Sequence, residues 1–485
     1  TLKTRADGTR PECGIRQTAC TTSKDFRRFS RRVTEKMAEA FKDHPAVTTW
    51  QLDNEISIQG ATGVCVCDEC RAAYIADLKK RYGTLENLNK EFNGVFWSDK
   101  FTKWDDVRLP FSRTRGAWCR DYLRFRGEQD LAVVLEQAEI LRKANPKWRI
   151  TSNNPSPANF TRMDTLFGNL GYASVDTYVS SDRERSFNTA MWQWTMFRGL
   201  TGAQKPFMVG ESGPFCFDTA IPHSFDLVKP WLWLSVLHGA ESFVYFRWRE
   251  SVGGEETHGA VVPWSGKRTF VYDLLKRNME EFRSLPESLA RQPLEKGDVA
   301  IVHDADSHIY ALTMQHIWKC PDVAMDAPVA LLSALERRGV TTDIVQLRDD
   351  VDLSSYKVVF LPNCLSVSEA FQKNLRAYVE KGGVIVAADR LNYCSPLGGY
   401  TYPETGPKGM TDLFGNKRIS GGRVDIGCFE ADSEKADCDI KAEPSSVVGA
   451  VPGTLTAIVT GVSLDGKTVA YDWYLGDAET PFASG

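Results

Sequence analysis

Phe26, Phe29, Val33, Met37 and Phe41 recur every three or four residues, which predicts one apolar face of a helix over Ser23–His44, ended by Pro45. Val47–Leu52 then reads as a buried strand that runs directly into Asp53-Asn54-Glu55. Further strands are predicted at Trp148–Ser152, Ala173–Tyr178, Phe207–Gly210 and Ser242–Trp248, with helical stretches at Arg71–Tyr82, Tyr122–Ala144 and Phe187–Leu200. Strand and helix alternating in this way imply parallel βα units. Several of the strands end on polar residues: Asn54 and Glu55, Asn153, Tyr178, Glu211 and Arg247. In a closed βα barrel, that end is where catalytic side chains gather.

Periodicity fades over Leu285–Gly297, and a domain boundary is expected there, dividing 1–288 from 289–485. Beyond it, Val299–Val302, Thr342–Val345, Lys357–Leu361 and Val384–Ala388 are strand-like, and Ala327–Arg338 and Glu369–Lys381 are amphipathic helices. This predicts a second α/β unit with an open, doubly wound sheet. After about Tyr393 the chain is rich in Gly, Ser, Asp and Pro, and no fixed repeat is visible.

Composition narrows the function classes. Of 485 residues, 42% are hydrophobic and 25% charged, the balance of a globular protein. The net charge of −4 gives no electrostatic basis for binding nucleic acid or anionic lipid. The longest apolar runs, such as that within Trp231–Leu237, fall far short of the ~20 residues a spanning helix needs. Neither nucleic acid nor membrane is an expected partner.

Two acids stand out among the 63 Asp and Glu residues. Glu55 follows an apolar strand, and Glu211 ends another in Pro-Phe-Met-Val-Gly-Glu-Ser-Gly. A carboxylate at the end of a buried strand is costly unless it is paired or used. Taken singly, each reads equally as an exposed acid at the start of a loop. Together they can divide glycoside cleavage, one giving a proton to the leaving oxygen and the other attacking the anomeric carbon.

Cys65, Cys67 and Cys70 form a Cys-x-Cys-x-x-Cys cluster that can wrap a tetrahedral metal ion, with Cys20 or Cys13 as the fourth ligand. Four sulfur ligands leave no open position, which points to a structural ion. Glu255 and His258, three apart, suit adjacent sugar hydroxyls, or equally a helix start and a solvated His. Cys364 follows a strand but lacks the flanking glycines of a nucleophile elbow and reads as structural.

Trp50-Gln51-Leu52-Asp53-Asn54-Glu55, the cysteine cluster, Arg81-Tyr82-Gly83-Thr84-Leu85, Phe96-Trp97-Ser98 with Trp104, Gly210-Glu211, and Phe246-Arg247-Trp248-Arg249 together resemble glycoside hydrolase family 42. The resemblance runs from about Gly14 to about Tyr393. It implies an α/β chain in which a (β/α)8 TIM barrel, with strands four to eight visible, precedes a flavodoxin-like trimerisation domain. On this basis the barrel is expected to be incomplete at its N-terminus, and the second unit at its C-terminus.

By the same resemblance, Glu55 is the acid/base and Glu211 the nucleophile of a retaining β-galactosidase. Arg16, Asn54, Trp97, Glu255 and His258 bind the sugar, and Cys20 joins Cys65, Cys67 and Cys70 around a structural zinc. No catalytic cofactor is implied, and the expected assembly is a cytoplasmic homotrimer. The family's aromatic wall after the nucleophile has no Trp within Phe215–Thr219 here. Alternatives are a retaining glycosidase for α-L-arabinopyranosides or β-D-fucosides, and a non-catalytic carbohydrate-binding or assembly subunit. The intact Glu55, Glu211 and Asn54 argue against the last.

Overall fold

The computed structural model describes residues 2–414 except 15, 57–63, 96–97, 111–115, 155–159, 202–204, 255, 257–258, 288–293, 319–322, 389, 398, 400–406 and 411–412, together with six strands of two or three residues further on. The first unit opens with α1 (Lys24–Phe41), β1 (Thr49–Gln51), α2 (Asp68–Tyr82), α3 (Leu85–Glu91) and α4 (Gly116–Ala144). It continues as β2 (Arg149–Thr151), α5 (Met163–Leu170), β3 (Ser174–Asp176), α6 (Arg183–Leu200), β4 (Phe207–Ser212), α7 (Phe225–Leu237), β5 (Ala240–Tyr245) and α8 (Phe270–Arg283). β1 pairs with β2, and β3, β4 and β5 pair in order, all parallel. A parallel bridge between Ile150 and Gly171, and the Asp176 N–H on the Asn154 carbonyl at 3.2 Å, connect the two groups. The five predicted strands therefore form one parallel arc, with the strand ends that carry polar residues on one side.

The strands read as near-continuous apolar runs because helices cover their outer face. Val175, Phe207 and Val209 are fully buried against Phe167, Trp192, Trp194 and Phe197. α1 forms as the spacing predicts, but Thr34 and Ala38 are its buried positions. Phe29, Val33, Met37 and Phe41, on its apolar face, are 39–55% exposed. The reason is position: α1 lies beside β1, the edge of the arc, where its apolar face borders an open groove with Trp50 and Leu52.

The second unit contains β6 (Val299–His303), α9 (Ala305–Trp318), α10 (Val323–Glu336), β7 (Thr342–Gln346), β8 (Val358–Leu361), α11 (Glu369–Glu380) and β9 (Val384–Ala387). Its sheet order β7-β6-β8-β9, all parallel, is the flavodoxin-like arrangement. The expected boundary at 288/289 lies outside the described residues. The two units nevertheless share one core, since Ile301, Met325, Leu332 and Ile344 pack with the barrel residues Trp192 and Phe197. Gly199 permits this approach: a Cβ there would stand 2.9 Å from the Ile344 carbonyl oxygen. Cys364 is buried, and burial raises its thiol well above the usual range, in keeping with a structural role. Beyond residue 414 the described strands pair antiparallel in short ladders. No helix among the described residues is long and apolar enough to cross a membrane.

Candidate active site

Glu55 stands four residues beyond β1. Asp53 and Glu55 both adopt left-handed backbone angles, with φ of 52° and 46°. Such angles cost an ordinary side chain free energy and persist only where the surroundings impose them. Here the Glu55 N–H donates to Asn153 Oδ1 at 3.0 Å, and Asp53 accepts from Gln137 Nε2 at 2.9 Å. The turn thus swings the Glu55 side chain over the end of the sheet, where the residue is only 5% exposed. Glu211 lies in β4, and its carbonyl accepts from the Thr177 N–H at 3.0 Å. The end of β4 is pinned from outside by Trp231 Nε1 on Ser212 Oγ at 3.0 Å.

Oxygens of Glu55, Glu211 and Asp176 lie within 4.8 Å of one another. Tyr178 donates its hydroxyl to Glu211 Oε2 at 2.7 Å, and Asn153 Nδ2 reaches Glu211 Oε1 at 3.1 Å. The same nitrogen is 2.7 Å from Asp176 Oδ2 and 2.9 Å from Asn54 Oδ1. Two protons cannot serve three acceptors. Turning the Asn54 amide would bring its nitrogen 3.2 Å from Glu211 Oε1 and its oxygen 2.8 Å from Arg16 Nη2, but would set that nitrogen against Asn153 Nδ2 at 2.9 Å, donor against donor. Arg16 also pairs with Glu55 and lies 3.5 Å from Glu256, which Arg247 approaches at 3.6 Å.

Burial raises the Glu55 carboxyl above its usual range; Arg16 opposes the shift and the Glu211 charge adds to it. Burial, then Glu211 and Glu55, push Asp176 up to about 9. Burial also raises the Tyr178 phenol, so it remains a donor to Glu211. These groups line a cleft of about 570 Å³, a volume that suits a sugar-sized ligand, with Phe217 and Phe246 on its walls. Phe217 is 53% exposed, and its ring centroid lies 5.0 Å from that of Tyr178. An aromatic wall is therefore present after Glu211, made by a Phe.

Of the residues expected to bind sugar, Arg16 and Asn54 line the cleft with both glutamates. Trp97, Glu255 and His258 lie outside the described residues. Asp176, Phe217 and Glu256 were not expected. Asn153 and Tyr178 were visible as polar strand ends, but their shared target, Glu211, is a tertiary fact.

The sulfurs of Cys20, Cys65, Cys67 and Cys70 also lie within 4.8 Å of one another. Cys20 is 3.4 Å from Cys70 and 3.8 Å from Cys67, and Cys67 is 3.5 Å from Cys70. A tetrahedron with metal–sulfur bonds near 2.3 Å has edges of about 3.8 Å, so the four thiols could hold a metal ion. Cys13 is exposed and is not part of the group. The Thr4 N–H on Cys65 at 3.3 Å and Arg126 Nη1 on Cys70 at 3.4 Å supply donors to sulfur around the cluster.

Residues 1–285 match the family model for glycoside hydrolase family 42, described as beta-galactosidase, and residues 297–391 match the beta-galactosidase trimerisation domain. Beta-galactosidase BgaP of Planococcus sp. (strain L4) is 30% identical over 397 residues, which are 78% of this chain and 56% of that protein. Beta-galactosidase BgaA of Clostridium cellulovorans is 29% identical over 410 residues, 80% of this chain and 59% of that one. The solved beta-galactosidase from Bacillus circulans sp. alkalophilus superposes with a TM-score of 0.77 at 25% identity, over 85% of this chain and 62% of that one. The structure from Halorubrum lacusprofundi gives 0.75 at 26% identity, over 85% and 64%. The chain thus spans less than two thirds of the length of each of these relatives. With the barrel-type arc, the flavodoxin-like sheet and both family models aligned in order, the chain belongs to glycoside hydrolase family 42.

Proposed function

We propose that the protein is a retaining β-galactosidase. Glu211 attacks the anomeric carbon while Glu55 protonates the departing oxygen. Water, deprotonated by the same Glu55, then releases galactose from the covalent galactosyl-enzyme. The observation that carries this reading is the spacing of Glu55 and Glu211, with oxygens inside 4.8 Å. Retaining glycosidases hold their carboxyls about 5–5.5 Å apart, whereas inverting ones leave about 6.5–9.5 Å for a water. The division of roles follows the environments. Burial favours the proton on Glu55 against the opposing pull of Arg16, while Glu211 accepts from Tyr178 and Asn153, which suits an anion.

In this reading Asn54 holds the sugar 2-hydroxyl and Arg16 a neighbouring one, while Trp97, Glu255 and His258 complete the galactose contacts. The cysteine cluster takes a structural zinc: four thiolates and no open position supply folding free energy and no chemistry. The second unit assembles barrels into a homotrimer.

Hydrolysis of an aryl β-D-galactoside, compared with the corresponding α-L-arabinopyranoside and β-D-fucoside, tests the assignment. Galactose binding with no turnover of any of the three would instead indicate a carbohydrate-binding subunit.

A further inference from the structure

Asp176 ends β3, is 2% exposed and lies in the wall of the cleft. One oxygen, Oδ2, accepts from Asn153 at 2.7 Å. The other, Oδ1, is buried and has no hydrogen-bond partner among the described residues. It faces the backbone next to the nucleophile, since a Cβ on Gly210 would stand 3.0 Å from it and 2.4 Å from Ser174 Oγ. Any side chain at position 210 would therefore collide with Ser174 Oγ and press on Asp176 Oδ1, which gives a physical reason for glycine before Glu211.

The charged and titratable groups around Asp176 are Arg16 from the segment before α1, Glu55 from the turn after β1, Tyr178 from the turn after β3, Arg185 from α6, Glu211 from β4 and Glu256 from the loop after β5. Three carboxyls within 4.8 Å, one of them with a bare buried oxygen, cannot all be ionised at tolerable cost. If Glu211 is the anion and Glu55 the acid, as proposed above, a second anion at Asp176 would oppose the charge on Glu211 without a cation of its own.

We propose that Asp176 is a positioning residue that sits in the site as a neutral carboxylic acid and holds Asn153, and through Asn153 both the Glu55 backbone and the Glu211 carboxylate, in reactive register. Asn153 is the connecting element: its oxygen takes the Glu55 N–H, and its nitrogen faces Asp176 and Glu211. Neutral Asp176 leaves Glu211 as the single uncompensated negative charge at the anomeric position. The raised affinity of Asp176 for its proton, up to about 9, agrees with this geometry.

The test uses Asp176→Asn, which keeps a neutral acceptor for Asn153, and Asp176→Val, which removes it. A buried acid with a raised folded pKa stabilises the fold below the ordinary carboxylate range and loses that contribution as pH rises toward about 9. The melting temperature of Asp176→Asn relative to the parent protein should therefore rise by a few degrees between pH 5 and pH 8. A difference that stays constant, or that falls as pH rises, means an ionised Asp176 and overturns the proposal. The positioning role is read by kcat/KM on an aryl galactoside and by binding of a galactose-configured iminosugar. Asp176→Asn should stay within about threefold of the parent at pH 7, and Asp176→Val should lose about 10–100-fold in both. Equal losses in the two variants would also overturn it. Absence of turnover in the parent protein would count against the galactosidase reading alone, because the melting comparison does not depend on activity.

Discussion

The Tyr178 hydroxyl donates to Glu211 Oε2 at 2.7 Å, joining the turn after β3 to the end of the neighbouring strand β4. The phenol is held in its protonated form by burial, so it contributes a fixed donor and no charge. With Asn153 on the other oxygen, the carboxylate has one orientation. Tyr178→Phe should therefore lower kcat about 10–100-fold with little change in KM, because the lost bond orients the attacking oxygen. Steady-state kinetics on an aryl galactoside decides it; a change in KM alone would assign Tyr178 to sugar binding.

The cysteine cluster gives a prediction that is independent of catalysis. Metal analysis should find about one zinc per chain, and chelation should lower the melting temperature before it alters the chemistry. Cys67→Ser should lose the ion. Full metal content in that variant would exclude Cys67 as a ligand.

Arg198 of α6 and Asp343 of β7 form a buried ion pair at 2.7 Å across the two units. Asp343 also accepts from the Gly297 N–H at 3.0 Å and from Tyr356 at 3.2 Å. Removing one partner leaves a buried charge uncompensated, so Arg198→Ala should cost about 3–5 kcal/mol. Denaturant unfolding measures this, and a loss below about 1 kcal/mol would mean that water reaches Asp343 in the variant.

Much of the fold is legible from the sequence because the inner strands of both units, β3 and β4 in the first and β6 in the second, are largely buried. Val175, Phe207 and Val209 sit in runs that only burial explains, and each predicted strand appears within a few residues of its place. Glu55 and Glu211 are legible for the same reason, as acids where an apolar run stops. Helix α7 was not anticipated: Phe225–Leu237 is apolar on nearly every side and carries Pro230 inside, so no 3.6-residue pattern stands out. The apolar face of α1 is legible as a face, but periodicity shows which residues share it and is silent on whether another element covers it. Asp176 was invisible as a site residue, since a three-residue buried strand ending in Asp looks the same whether that acid meets solvent or two other carboxyls.

Assembly is tested by light scattering. If the second unit brings three barrels together, the particle mass should be three times that of the chain at micromolar concentration. A monomer would remove the trimer from the account.

The division of labour between the two glutamates is the central claim, and azide rescue tests it most directly. Glu211→Ala should abolish turnover of every β-galactoside, since no covalent intermediate can form. Glu55→Ala should still form the galactosyl-enzyme from a dinitrophenyl galactoside, whose leaving group needs little protonation, and then stall for lack of a base. Added azide should restore its turnover and give β-galactosyl azide, with configuration retained. An α-configured azide from Glu55→Ala, or rescue confined to Glu211→Ala, would contradict the assignment.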